Sequence, residues 1–252
     1  MRKLKRLHMS IMISLAFLAL CGTLFLCEEI NDKREKNTNI FYHYYTIEPA
    51  SLLEALEAED LNVFIPIDEE PTLIPPNQRI PVSWTQDDYL IIVDALFQLV
   101  QGSTDTMEGW QINSMQFALG CTQFGIGLQD GNFRFFKIVK TNRQESRIER
   151  IVNIDPRSKV VFITENDYYP ILANWSAIDL GQNLLSADEI LQIADNAGGR
   201  EKRVSIENAC DISLLLSPDY ASYNGWEVSY YRRDNRKTIF HVEIDPITGK
   251  IR

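Results

Sequence analysis

Residues 9–27 read MSIMISLAFLALCGTLFLC, nineteen residues without a charge. At about 1.5 Å per helical residue the run spans about 28 Å, close to the hydrocarbon thickness of a bilayer. A soluble helix so uniformly apolar would have no polar face to offer water. Arg2, Lys3, Lys5 and Arg6 precede the run, and Glu28 and Glu29 follow it. The positive-inside bias then leaves residues 1–8 in the cytoplasm as a basic tail and places the rest of the chain outside. The expectation is a single-pass signal-anchor at residues 9–27.

Two alternatives stay open. A cleaved signal would make the protein secreted, although Leu20 stands where a small residue is wanted before a cut. Leu18-Ala19-Leu20-Cys21 is also similar to the lipid-attachment box of bacterial lipoproteins, which would make the protein lipid-anchored, except that Leu20 again replaces a small residue. Hydrophobic content of 45% and charged content of 24% suit an exported part that buries a core. The formal charge is −10, and near −14 once the four N-terminal cations are set aside. Such a surface repels phosphate backbones and anionic headgroups, so nucleic acid is not an expected partner.

Residues 28–81 read as a spacer. Within it Pro49 suits the first turn of a short helix over SLLEALEAED, and residues 62–67 suit a short strand. Pro71, Pro75, Pro76 and Pro81 then make a linker, because proline cannot sit inside a regular helix or central strand. Beyond the linker a pattern recurs. Thr85-Gln86-Asp87-Asp88 precedes YLIIVDALFQLV, and Ser186-Ala187-Asp188-Glu189 precedes ILQIADNA. A hydroxyl residue with an acid three positions on is a capping box, which satisfies the orphan amides of a helix start. Gly109-Trp110 and Gly225-Trp226 follow as a second shared feature. A third is the run from Val152 through Ile154-Asp155-Pro156 to Val160, matched by Val242 through Ile244-Asp245-Pro246 to Ile251. Alternating apolar residues running into Asp-Pro predict a strand, a tight turn and a further strand.

The expected fold class is therefore α+β: an N-terminal transmembrane helix, then two helix-plus-antiparallel-sheet units at 82–165 and 184–252, joined by a connector at 166–183. In the first unit Gly131-Asn132 suggests a hairpin turn between strands at 125–128 and 132–139. In the second, residues 226–231 and 238–244 are expected to pair, with Phe240, Val242 and Ile244 inward and His241 and Glu243 outward.

Gly225-Trp226-Glu227-Val228, residues 241–251 and the Ser186 helix start together resemble the PepSY domain family. The resemblance covers the last ~65 residues best and residues 82–165 only weakly. It implies an extracytoplasmic binding or inhibitory module, of the kind found in propeptides of thermolysin-type proteases and in membrane-anchored bacterial envelope proteins. No catalytic residues belong to the pattern.

The residues themselves offer little chemistry. There is no Gly-x-Ser-x-Gly elbow, Walker loop, dinucleotide fingerprint or HExxH, and the three histidines, His8, His43 and His241, stand apart in the sequence. Asp87, Asp88 and Asp94 read as helix cap and solvated face rather than a hard-cation site. No catalytic, cofactor-binding or metal-binding residue is assigned, and no cofactor is expected. Cys121 and Cys210 are the only cysteines in the exported part and form a candidate disulfide, with two separate buried thiols as the alternative. Trp110 and Trp226 suit core pillars. Tyr168, Tyr169 and Trp175, in the inter-unit segment, are the candidate partner contacts. The function that fits best is a non-enzymatic, membrane-tethered module binding a protein or peptide. A structural subunit of an envelope assembly, contacting neighbours through residues 41–45, and an unrecognised hydrolase are the alternatives.

Overall fold

The computed structural model describes residues 40–71, 81–100, 109–141, 144–168, 177–179, 182–218 and 224–252. The apolar run at 9–27 lies outside them; among the described residues no helix is long and apolar enough to cross a membrane. Tyr169 and Trp175 also lie outside, and of Tyr168 only the backbone is described.

In chain order the elements are β1 (Ile40–Thr46), α1 (Pro49–Glu57), β2 (Ile65–Ile67), α2 (Gln86–Val100), β3 (Gln111–Gly120), β4 (Asp130–Thr141), β5 (Gln144–Asp155) and β6 (Val160–Tyr168). Then come α3 (Ala187–Ala194), a π-helical turn (Asp195–Gly199), α4 (Arg200–Ser205), β7 (Cys210–Pro218), β8 (Asn224–Arg232) and β9 (Thr238–Ile244). Among the described residues nine strands join one antiparallel sheet in the order β2-β1-β6-β5-β4-β3-β7-β8-β9. The protein is thus α+β, with few helices set against a large sheet.

Local chemistry accounts for the helix starts. Thr85 N–H donates to Asp88 Oδ2 at 2.7 Å, and Asp88 N–H reaches Thr85 Oγ1 at 3.4 Å. Ser186 and Glu189 repeat this at 2.8 and 3.3 Å. Both capping boxes are formed, so each helix begins where its cap stands. The helices bury one face on the sheet: Leu52, Ile92, Leu96 and Ile190 meet Phe117, Phe133, Val152, Leu214 and Trp226 in one continuous core.

The two Asp-Pro motifs close alike. The Asp155 carboxylate accepts from Ser158 N–H at 3.1 Å, and Asp245 accepts from Ile247 and Thr248 N–H at 3.1 and 2.8 Å. Each turn then passes through the left-handed region, at Lys159 (φ 57°) and Gly249 (φ 68°).

The stretches 82–165 and 184–252 meet at a seam between β3 and β7. Each is the first strand after its helix, and they pair antiparallel from Met115↔Leu216 to Gly120↔Asp211. Antiparallel pairing of equivalent strands relates the two stretches by an approximate twofold axis through the seam. The helix starts consequently face one another: Gln86 N–H donates to Asp188 Oδ2 at 3.0 Å, and Ala187 N–H donates to Gln86 Oε1 at 2.8 Å. Burial, reinforced by the charges of Asp87 and Asp88, raises the Asp188 carboxyl above its ordinary value. At one end of the seam Cys121 and Cys210 are joined in a disulfide, their Cα atoms 5.3 Å apart.

Three expectations need correction. The hairpin turn does not fall at Gly131-Asn132: both lie inside β4, Gly131 opposite Phe117, and the chain reverses over residues 121–129. Gly131 is glycine because the Tyr89 ring lies 2.6 Å from where a Cβ would stand. The Gly-Trp pairs are not equivalent either, since Trp110 precedes β3 whereas Trp226 lies within β8. Aligning Ile154-Asp155-Pro156 on Ile244-Asp245-Pro246 places Trp226, opposite Ile244, on Gly131, opposite Ile154. The volume that the Trp226 indole fills in one stretch is thus taken by the Tyr89 ring in the other. Finally, Trp110 is only part-buried, under the Arg150 guanidinium, whereas Trp226 is fully buried.

Candidate binding edge

The sheet ends in two different edges. β2 is three residues long and contains Pro66, so it offers little to pair with. β9 is seven residues long without proline. Its inner side pairs with β8, and its outer side carries only the isolated Ile244–Ile251 bridge among the described residues. There the Glu243 carbonyl accepts from Arg252 N–H at 3.0 Å, which shows that Glu243 aims its backbone outward. Backbone direction alternates along a strand, so His241 also turns its N–H and C=O to the outer side. A register shift in the β8–β9 pairing, where Phe240 pairs with Tyr230 and Thr238 with Tyr231, confines regular pairing to residues 240–244.

In the other stretch the corresponding edge is filled. β6 continues from the Asp155-Pro156 turn and lies along the outer side of β5 from Val160 to Tyr168. Across that pairing Arg150, fully buried against the Phe97 and Trp110 rings at 4.6 and 4.3 Å, meets the Glu165 carboxylate at 2.6 Å.

The turn end of β9 borders a cleft of about 450 Å³ lined by Lys202, Ser205, Ile206, Arg232, Lys237 and Thr238 among others. Arg232 is held by Asp234 at 2.8 Å, while Arg233 and Arg236 engage Asp211 at 2.9 and 3.4 Å. Lys202 and Lys237 are exposed and make no ion pair among the described residues. In a chain of net charge −10 this end of the sheet is locally basic. The α4 scaffold under the cleft is firmly placed. Arg203 forks onto the buried Asp195 carboxylate at 2.8 and 3.1 Å, donates to Asn208 at 3.0 Å, and stacks on Phe124 at 4.3 Å. Burial and the Asp195 charge push the Tyr230 hydroxyl, 3.4 Å from Asp195, well above its ordinary pKa.

Other hollows and polar groups offer less. A cavity of about 140 Å³ is lined by Ile178, Leu216 and Pro246 among others. An apolar hollow of about 490 Å³ lies between α1, residues 81–84 and the Asp155-Pro156 turn. His43 lies on β1, and His241 Nδ1 shares a 2.8 Å hydrogen bond with Ser229 Oγ on the sheet face away from the helices. Asp88 caps α2, and Asp94 accepts from Gln98 at 2.9 Å. Residues 41–45, considered as a contact surface, form β1 between β2 and β6. Sequence reasoning missed the basic cleft because its cations come from two segments thirty residues apart, which only the packing of α4 beside the β8–β9 turn brings together.

The helix, the three strands β7, β8 and β9 and the Asp-Pro turn fall within one region that a family model matches. That model, described as peptidase propeptide and YPEB domain, covers residues 184–252. Residues 184–252 are a PepSY domain. The outer edge of β9 and the basic cleft both belong to it. PepSY domains are typically non-catalytic, propeptide- or inhibitor-like modules. No curated protein matches the sequence. Among solved structures, full-length peroxisomal multifunctional enzyme type 2 from Drosophila melanogaster aligns over 93% of this chain and 50% of that one, at 8% identity and a TM-score of 0.20. The chain therefore spans about half the length of that protein, and a likeness so slight carries no argument.

Proposed function

We propose that the protein is a non-enzymatic module, tethered to a bacterial membrane by residues 9–27, whose exported part binds a protein or peptide and restrains it, a protease being the first candidate. The PepSY domain at 184–252 carries this reading. The uncharged run behind a basic flank supports the tether, and the acidity of the remainder speaks against nucleic acid.

The test uses the full chain in detergent, immobilised and exposed to solubilised envelope proteins from the source cells. Stoichiometric recovery of one protein, whose activity the purified chain then lowers, supports the module. Hydrolytic turnover that co-purifies with the chain and disappears on mutation of its own carboxylates would sink it. Carbonate extraction of cell membranes tests the tether: a protein released into the supernatant is not held by a spanning segment.

A further inference from the structure

We infer that the outer edge of β9, with the basic cleft at its turn end, takes an extended acidic segment of the partner as a tenth strand. The inference rests on the binding reading above and specifies its surface and the chemistry of what it binds.

The internal symmetry supplies the geometry. β5 and β9 correspond through their Ile-Asp-Pro ends, and the outer side of β5 already carries an antiparallel strand, β6. At the corresponding edge of β9 the pairing begins in the same way, with the Ile244–Ile251 bridge and the Arg252-to-Glu243 hydrogen bond. Past that bridge, the outward backbone groups of His241 have no backbone partner among the described residues. An incoming strand would satisfy them by main-chain hydrogen bonds, the general mode of strand addition.

Charge selects the strand. Lys237 stands at the turn end of β9, and toward the corresponding end of β5 the added strand β6 sets Glu165 and Asn166 opposite Arg150 and Glu149. Arg150 and Glu165 show that this edge geometry brings an acid on the added strand to a base on its neighbour. Lys237 and Lys202 would meet carboxylates on the incoming strand in the same way. They would also repel a second copy of this edge, so the cations that keep β9 from self-pairing favour an acidic partner. The regular pairing length is short, so an isolated peptide should bind weakly and lose affinity steeply with salt.

The probe is a fluorescein-labelled ten-residue peptide of alternating Thr and Glu, titrated into the full chain in neutral detergent and read by anisotropy. Three companions accompany it: the Thr-Lys peptide, the Thr-Glu peptide N-methylated at alternate residues, and the Lys202→Glu/Lys237→Glu variant. Both lysines are exposed, so the variant keeps its fold, which circular dichroism verifies. Expected are saturable binding of the acidic peptide, at least tenfold weaker binding by the variant and by the N-methylated peptide, and slowed hydrogen exchange at His241. Absence of binding at millimolar peptide, equal binding of the basic peptide, or binding undiminished in the variant overturns the inference. Binding without protection of His241 reduces the edge to a plain anion cleft and overturns it too. If the envelope partner is captured equally by wild type and variant, the module stands and this surface falls.

Discussion

Reducing the Cys121–Cys210 bond should cost the fold about 4–5 kcal/mol. The two residues are separated by 89 positions. In the chain-entropy account a closed loop of that length removes about 15 cal/mol/K from the unfolded ensemble, or ~4.6 kcal/mol at 25 °C. Cys121 is 2% exposed and Cys210 0%, so the freed thiols remain packed as small apolar groups and little contact is lost. For a folded unit of about 150–250 residues this corresponds to a fall in melting temperature of roughly 10–15 °C. The full chain in detergent would be unfolded with heat and with urea, oxidised and after complete reduction, followed by circular dichroism. Peptide mapping without reductant must first recover the Cys121–Cys210 pair rather than a bond to Cys21 or Cys27. A change below ~1 kcal/mol would refute the reasoning, since it would mean that the β3–β7 seam already restricts the unfolded chain without the bond. Recovery of both thiols free from an oxidising preparation would refute it more directly.

Three further perturbations have definite outcomes. Gly131→Ala puts a Cβ against the Tyr89 ring, 2.6 Å away, and should destabilise by about 1–3 kcal/mol in urea denaturation, with the β3–β4 strands losing amide protection first. Gln86→Ala removes the acceptor of the Ala187 amide and should cost about 1 kcal/mol, measured as a lower urea midpoint at unchanged slope. Asp130 lies between Arg157, which draws its pKa down, and burial with the Asp155 charge, which raise it; burial dominates and holds it at about 6 against an ordinary 3.8. Its folded pKa is raised, so its contribution is fully present below pH 3.8 and is lost as pH rises through about 6. Asp130→Asn should therefore flatten the stability profile between those two values; an unchanged slope there would show that Asp130 is ionised throughout.

Much of the local structure was written in short-range chemistry. Thr85 and Ser186 announced their helices because an N-cap acts within one turn, and the Asp-Pro turns announced themselves because Asp155 and Asp245 bond amides only two or three residues away. Cys121 and Cys210, the two cysteines beyond residue 27, made one intramolecular pair the candidate disulfide. What the sequence could not determine was which strand lies beside which. β7, CDISLLLSP, carries no turn signal of its own, yet it forms the seam because its inward residues Ile212, Leu214 and Leu216 complete a core that β3 begins. Gly131 looked like a turn because a glycine reads the same whether it frees a backbone or admits a neighbouring ring; only the position of Tyr89 decides between them. The basic cleft and the position of β9 at the edge of the sheet likewise depend on contacts between distant segments. Strand order is fixed by which pairing buries the most apolar surface once loops have closed, a comparison among whole folds that no local window of residues contains.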